Sequence, residues 1–125
     1  IWSDDIGFDH IKMQQYFQGV KVYGGQVILH GKSGLISTMN GTCFPTPTIN
    51  LTPSVTNSAA IETVKKDVAT TSQLIDPNQI KNSLLAYKET ESELVIYHFK
   101  LNLSNEKLVW HITIRPSILE RWEYF

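Results

Sequence analysis

The sequence predicts an α+β fold: an antiparallel β-meander, followed by a second antiparallel sheet that carries one packed helix. Three observations predict it. Residues 8–43 read as three strand-like runs separated by Gly-containing turns, residues 57–69 hold an amphipathic helical stripe, and residues 83–125 return to strand-like alternation. With 125 residues and 42% hydrophobic content, the chain suffices for one compact domain or for two small subdomains sharing a core.

In residues 8–17, Ile11, Met13 and Phe17 alternate with His10, Lys12, Gln14 and Tyr16, the pattern of a half-buried strand. Gln18-Gly19 turns into a second β-rich run, residues 20–30, interrupted at Gly24-Gly25, where paired glycines predict a bulge or a close backbone approach. Gly31-Lys32-Ser33-Gly34 connects to a third strand over residues 35–43. Residues 44–56 hold Pro45, Pro47 and Pro53 among Thr, Ser and Asn, so neither a ladder nor a helix can continue. This linker sets the expected boundary: residues 1–49 form a β subdomain and residues 50–125 an α+β subdomain.

Asn57 or Ser58 is expected to cap a helix ending near Ala69, with Ala60, Ile61, Val64 and Val68 on one face and Glu62, Lys65, Lys66 and Asp67 toward water. A helix this short is marginal alone and needs a sheet to lie on. Residues 70–81 read as loop, with a helical turn at Asp76-Pro77 left open. Four strands are expected after it, over residues 83–88, 93–102, 107–115 and 119–125. In the third, Trp110, Ile112 and Ile114 alternate with His111, Thr113 and Arg115, which predicts one buried face.

Eleven basic against twelve acidic residues leave a net charge of -1, without the electrostatic footprint of a nucleic-acid or acidic-membrane partner. The longest apolar runs, such as Val27-Ile28-Leu29, fall far short of the roughly 20 residues of a membrane span. No initiator Met and no leader pattern precede Ile1, so the chain is expected to begin inside a longer or processed product. Cys43 is the lone cysteine, expected as a small buried hydrophobe. Asn40, Asn50 and Asn102 open Asn-x-Ser/Thr sequons and are candidate glycosylation sites.

Motifs that would carry catalysis are missing from the sequence. His-Glu-x-x-His does not occur, Cys43 precedes Phe-Pro, and no serine sits in Gly-x-Ser-x-Gly. His10, His30, His98 and His111 each stand alone within a predicted strand, without the local spacing of metal ligands. Glu120 and Glu123 lie three apart on a strand and point to opposite faces, which disfavours an acid/base pair. Neither Gly24-Gly25 nor Gly31-x-x-Gly34 leads from a strand into a helix, as a phosphate loop would. No catalytic residue, metal site or cofactor is expected.

The run Asp9-His10-Ile11-Lys12-Met13-Gln14-Gln15-Tyr16-Phe17-Gln18-Gly19-Val20-Lys21-Val22-Tyr23-Gly24-Gly25-Gln26-Val27-Ile28-Leu29-His30 resembles the fungalysin/thermolysin propeptide (FTP) motif. The similarity lies in a basic-aromatic strand ending in Gln-x-Tyr, a Gly turn, a Val-x-Val, and a Gly-broken β-run ending in His. The following Gly-Lys-Ser-Gly-Leu-Ile-Ser-Thr-Met-Asn-Gly looks like the family's next hairpin. Residues 57–125 are similar, more loosely, to the PepSY-type, cystatin-like domain that follows in such propeptides, through Ser58-Ala59-Ala60 and the final Arg-Trp-Glu-Tyr-Phe. The Asp-Ala-x-Thr-Gly turn that continues that strand in the family would lie past Phe125, so this subdomain is expected to be truncated.

The resemblance implies a noncatalytic propeptide, secreted or periplasmic, that serves in cis as intramolecular chaperone and inhibitor of its own zinc metallopeptidase. Its partner would be that catalytic domain, with no nucleic acid and no membrane. His10, Lys12, Gln14 and Tyr16 are the candidate partner-facing residues, and Gly19, Gly24 and Gly25 the backbone positions of the motif. A free-standing secreted binding or inhibitor protein of the same fold is the alternative.

Overall fold

The computed structural model describes residues 1–70, 90–99, 105–117 and 120–125. Two compact units make up the chain, one from Ile1–Leu51 with Val95–Lys107 and the other from Thr52–Leu94 with Leu108–Phe125. Among the described residues seven strands accompany one helix. The fold is therefore mostly β and compatible with the expected α+β class.

The first unit holds β1 (Trp2–Ser3), β2 (Asp9–Phe17), β3 (Val20–Lys32) and β4 (Leu35–Thr42), together with the end of β5 (Thr90–His98) and the start of β6 (Glu106–Ser117). Its strand order is β1-β2-β3-β5, with β4 also on β3. Both hairpins are closed by two residues in the left-handed region, Gln18 and Gly19 (φ 48° and 84°) and Ser33 and Gly34 (φ 53° and 78°). That backbone matches the right-handed twist of the strands, so Phe17 pairs Val20 and Lys32 pairs Leu35 across tight turns.

Strand β3 changes partners midway. Tyr16 pairs Lys21 and Gln14 pairs Gln26, so Gln15 alone stands opposite Val22, Tyr23, Gly24 and Gly25. Before this bulge β3 runs beside β5, with Lys21 on Val95 and Val22 on Ile96; after it, β3 pairs β4 from Gln26 to Lys32. The β3–β5 pairing is parallel, which corrects the expected all-antiparallel sheets. Parallel neighbours require a crossover of a dozen or more residues, and the long stretch from β3 to β5 supplies it. Val22, Val95 and Ile96 are fully buried here, each side chain contributing about 1.5–3 kcal/mol relative to exposure.

In the second unit, helix α1 (Asn57–Ala69) is capped by Thr56, one residue before the expected position. Thr56 has extended backbone (φ -71°, ψ 153°), and its hydroxyl oxygen accepts the Ala59 N–H at 3.3 Å. Val64 and Val68 bury against Ile112 and Ile114 of β6, flanked by Ala60, Ile61, Trp110, Trp122 and Tyr124. Here the expected apolar stripe meets the expected sheet. Strand β7 (Glu120–Tyr124) pairs β6 antiparallel, with Ile112 on Tyr124 and Ile114 on Trp122. At the helix's end Tyr124 donates its hydroxyl to Asp67 Oδ2 (2.9 Å), and Trp110 Nε1 donates to the Val55 carbonyl (2.8 Å).

Other expectations need correction. Thr113 is only 4% exposed, so β6 is covered on its polar face as well as its apolar one. Strand β5 starts at Thr90, inside the expected turn, because Glu91 and Glu93 alternate outward with the more buried Ser92 and Leu94. Arg115 of β6 balances Glu91 at 3.7 Å. The expected strand over residues 83–88 lies outside the described residues, as does the open turn at Asp76-Pro77.

Candidate functional site

The four residues singled out on β2 do not form one free face. Lys12 and Tyr16 are exposed, whereas His10 and Gln14 are half-buried and engaged. The Gln14 amide reaches into the bulge of β3 and donates to the carbonyls of Val22 (2.8 Å) and Gly25 (2.9 Å). Next to it, Gln15 reads the Phe44 backbone from both sides: its Oε1 accepts the Phe44 N–H (2.9 Å) and its Nε2 donates to the Phe44 carbonyl (2.7 Å). Gln14 thus bridges two carbonyls of the bulge, and Gln15 ties the chain just after β4 to β2.

The glycines of the bulge meet different demands. Gly24 has φ +77°, a conformation that side chains avoid, while a Cβ on it would find only ordinary contact, Phe44 Cε2 at 3.9 Å. Gly25 has ordinary φ, but a Cβ there would come within 2.7 Å of Gln15 Oε1 and 3.0 Å of Gln15 Cβ. Gly19 sits in the β2–β3 turn with nothing near it.

His10 and His30, read as solitary in the sequence, are cross-strand partners on β2 and β3. Their Nδ1 atoms lie 2.7 Å apart. His10 Nε2 faces Asp4 Oδ2 at 3.2 Å, His30 Nε2 faces Asn40 Oδ1 at 2.9 Å, and the Trp2 ring stacks on His10 at 5.0 Å. Asp4 is held below the ordinary carboxylate range, foremost by the Phe8 N–H on its Oδ1 (2.8 Å), with His10 and the Ile6 N–H adding to it and partial burial opposing. This four-residue chain ties together the β1–β2 turn and strands β2, β3 and β4.

The other two histidines have ring and carboxylate neighbours, and among the described residues His98 Nδ1 and Nε2 are buried without a hydrogen-bond partner. His98 stacks face to face on Phe44 (3.9 Å, 9°), with Nε2 3.5 Å from Glu106 Oε2, and Glu106 Oε1 accepts the Thr48 N–H at 2.8 Å. That arrangement fastens the proline-rich segment to β5 and to the start of β6. In the second unit, His111 stacks on Phe125 (4.6 Å) with Glu123 3.6 Å away, and Arg121 takes the other Glu123 oxygen at 2.6 Å. Among the described residues no group of three or more His, Cys, Asp or Glu is placed to hold a metal ion.

Strand β4 is exposed along its whole length. Leu35 (76%), Ile36 (62%) and Met39 (68%) present apolar side chains, and the sequence from Ser33 to Ile61 contains no charged residue. Natural edge strands are usually blunted by charge or proline, and this one is not. Asn40 and Asn50 are exposed, while Asn102 lies outside the described residues. Cys43, expected buried, is exposed, directly after this uncovered strand. Asp4, Gln15 and Asn40 carry no signal in the sequence that would have marked them as partners in these networks.

Residues 3–43 match the family model described as Fungalysin/Thermolysin Propeptide Motif. The match runs from β1 through β4 and takes in the hairpins, the bulge and the His10–His30 pair. The resemblance read along Asp9 to His30 falls wholly inside it. No solved structure matches the chain. No helix among the described residues is long and apolar enough to cross a membrane.

Proposed function

We propose that this chain, whose residues 3–43 carry the propeptide motif, is the noncatalytic propeptide portion of a secreted zinc metallopeptidase of thermolysin or fungalysin type, acting in cis as its chaperone and inhibitor. The motif match is the observation that carries the reading. The PepSY-like reading of residues 50–125 belongs to the same proposal, supported by one helix lying on the β6–β7 hairpin. The catalytic domain encoded with the chain is its partner.

The mechanism asks only for a preformed surface. A folded segment that binds the native form of its neighbour shifts that neighbour's folding equilibrium by mass action. When both lie on one chain, the effective concentration reaches the millimolar range for a short linker, so a modest contact suffices. Lys12 and Tyr16 on β2, and the uncharged strand β4 with Leu35, Ile36 and Met39, supply such a surface. Inhibition follows from the same contact, held by the tether until the linking peptide is cut.

Two observations test the reading. The coding sequence after Phe125 should contain a His-Glu-x-x-His within a few hundred residues; a stop codon soon after would favour a free-standing binding protein. Deleting the segment from that gene should sharply reduce the yield of active peptidase, and supplying the chain separately should restore part of it. Full yield without the segment would overturn the chaperone role.

A further inference from the structure

The His10–His30 contact has room for one hydrogen and not two. His10 Nε2 faces the Asp4 carboxylate, an acceptor only, so that nitrogen carries a hydrogen. His30 Nε2 faces the Asn40 amide, which can follow either state: its oxygen accepts from a protonated Nε2, and its NH2 donates to an unprotonated one. The two Nδ1 atoms, 2.7 Å apart, have no such freedom. With one hydrogen between them, one ring donates and the other accepts. With none, two lone pairs oppose each other, and with two, a pair of N–H groups collides.

Imidazole is the side chain that changes charge between about pH 5 and 8. As acid doubly protonates both rings, the contact must part. We propose that this pair is an acid-labile latch holding the N-terminal segment, residues 1–8, to the β2–β3 hairpin. The segment depends on such side-chain contacts because β1 adds only two residue pairs to the ladder, Trp2 on His10 and Ser3 on Asp9. Beyond these it is held by the Trp2–His10 stack, the Asp4 contact, the Ser3 hydroxyl on Asp9 Oδ1 (2.6 Å) and Lys32 Nζ on the Ile6 carbonyl (3.1 Å). On the other side β4 places Thr38 opposite His30 and Asn40 against its ring, with no charge of its own.

The charged groups around the pair set the direction of the response. Asp4, from the β1–β2 turn, contacts His10 Nε2 at 3.2 Å, and Asp9 on β2 is occupied by Ser3. Lys12 stands two residues along β2, and Lys32, two along β3, donates its Nζ to the Ile6 carbonyl. Acid therefore places like charges across 2.7 Å, with one carboxylate, Asp4, in contact with the rings among the described residues.

Long-range proton–nitrogen spectra of the nitrogen-15-labelled chain, recorded from pH 8 to 4, give the protonation state of each imidazole nitrogen. The expected result is one hydrogen shared by the two Nδ1 atoms near neutral pH. On acidification, double protonation of both rings should coincide with loss of the Trp2–His10 nuclear Overhauser contact and at least a tenfold loss of amide protection at Ser3 and Asp4, taken against the intrinsic exchange rate at each pH. His98 and His111 serve as internal references. In His30→Gln the amide can serve His10 Nδ1 in either state, its NH2 donating to the unprotonated nitrogen and its oxygen accepting from the protonated one, so the Trp2–His10 contact should persist to pH 4. Both rings of the natural chain titrating fully with that contact intact would overturn the proposal. So would the same acid transition in His30→Gln; and if that variant fails to fold, the spectra of the natural chain still decide.

Discussion

Replacing Gly24 by alanine isolates the backbone requirement of the β3 bulge. Gly24 holds φ +77°, and a Cβ there meets nothing closer than Phe44 Cε2 at 3.9 Å, so alanine fits the space but not the dihedral. The left-handed region costs an L-residue roughly 1–2 kcal/mol, and nothing in the contact distances offsets it. Asparagine tolerates that region better, so Gly24→Asn should cost less than Gly24→Ala, the reverse of what side-chain bulk would predict. The control is Lys12→Ala on the exposed part of β2, expected within about ±0.5 kcal/mol. For small domains 1 kcal/mol shifts the melting temperature by about 4–8 °C, so urea and thermal melts both resolve the difference. Equal midpoints for Gly24→Ala and Lys12→Ala, or a larger loss for asparagine than for alanine, would refute the reasoning.

Three further outcomes are expected. Val68→Ala removes two fully buried methyl groups between α1 and β6 and should cost about 2 kcal/mol in the urea midpoint, combining lost transfer energy with a residual cavity. Thr56→Ala should cost about 1 kcal/mol through the lost cap, whereas Ser58→Ala should stay within about 0.5 kcal/mol, since Thr56 and not Ser58 bonds the Ala59 N–H. Burial first, and then the Asp67 carboxylate, raise the Tyr124 phenol above its ordinary value of 10.0. Its neutral form is thus the one the fold favours, so its contribution is whole below about pH 10 and declines as pH climbs toward the raised value. In urea titrations from pH 8 to 11, Tyr124→Phe should lose less stability than the natural chain.

Local pattern made much of the first unit readable. Strand-like alternation located β2, though Met13, on the side expected buried, is 44% exposed while His10 and Gln14 are half-buried; Gly19 and Gly34 located the β2–β3 and β3–β4 turns, because two-residue hairpins need left-handed backbone at both positions. The pairing of His10 with His30 was not readable for the same reason that the hairpin was. Extending the Phe17–Val20 register unbroken sets His10 opposite Val27; only the extra residues of the bulge carry it to His30. Gly24-Gly25 announced a bulge but not its size. In the second unit the stripe of Val64 and Val68 was legible from helical spacing, whereas the burial of Thr113 was not, since strand periodicity tells which side chains share a face and not what covers it. The parallel β3–β5 pair is a long-range choice that no neighbouring residues encode.

Refolding in the presence of the chain separates a chaperone from a bystander. The mature peptidase encoded with this chain is denatured, then diluted into buffer with one equivalent of the chain, with none, or with an unrelated protein of similar size. The account predicts a several-fold higher yield of active enzyme with the chain alone, and saturable inhibition when it is titrated against the folded peptidase. Yields identical in all three conditions, with no binding at micromolar concentration, would contradict it.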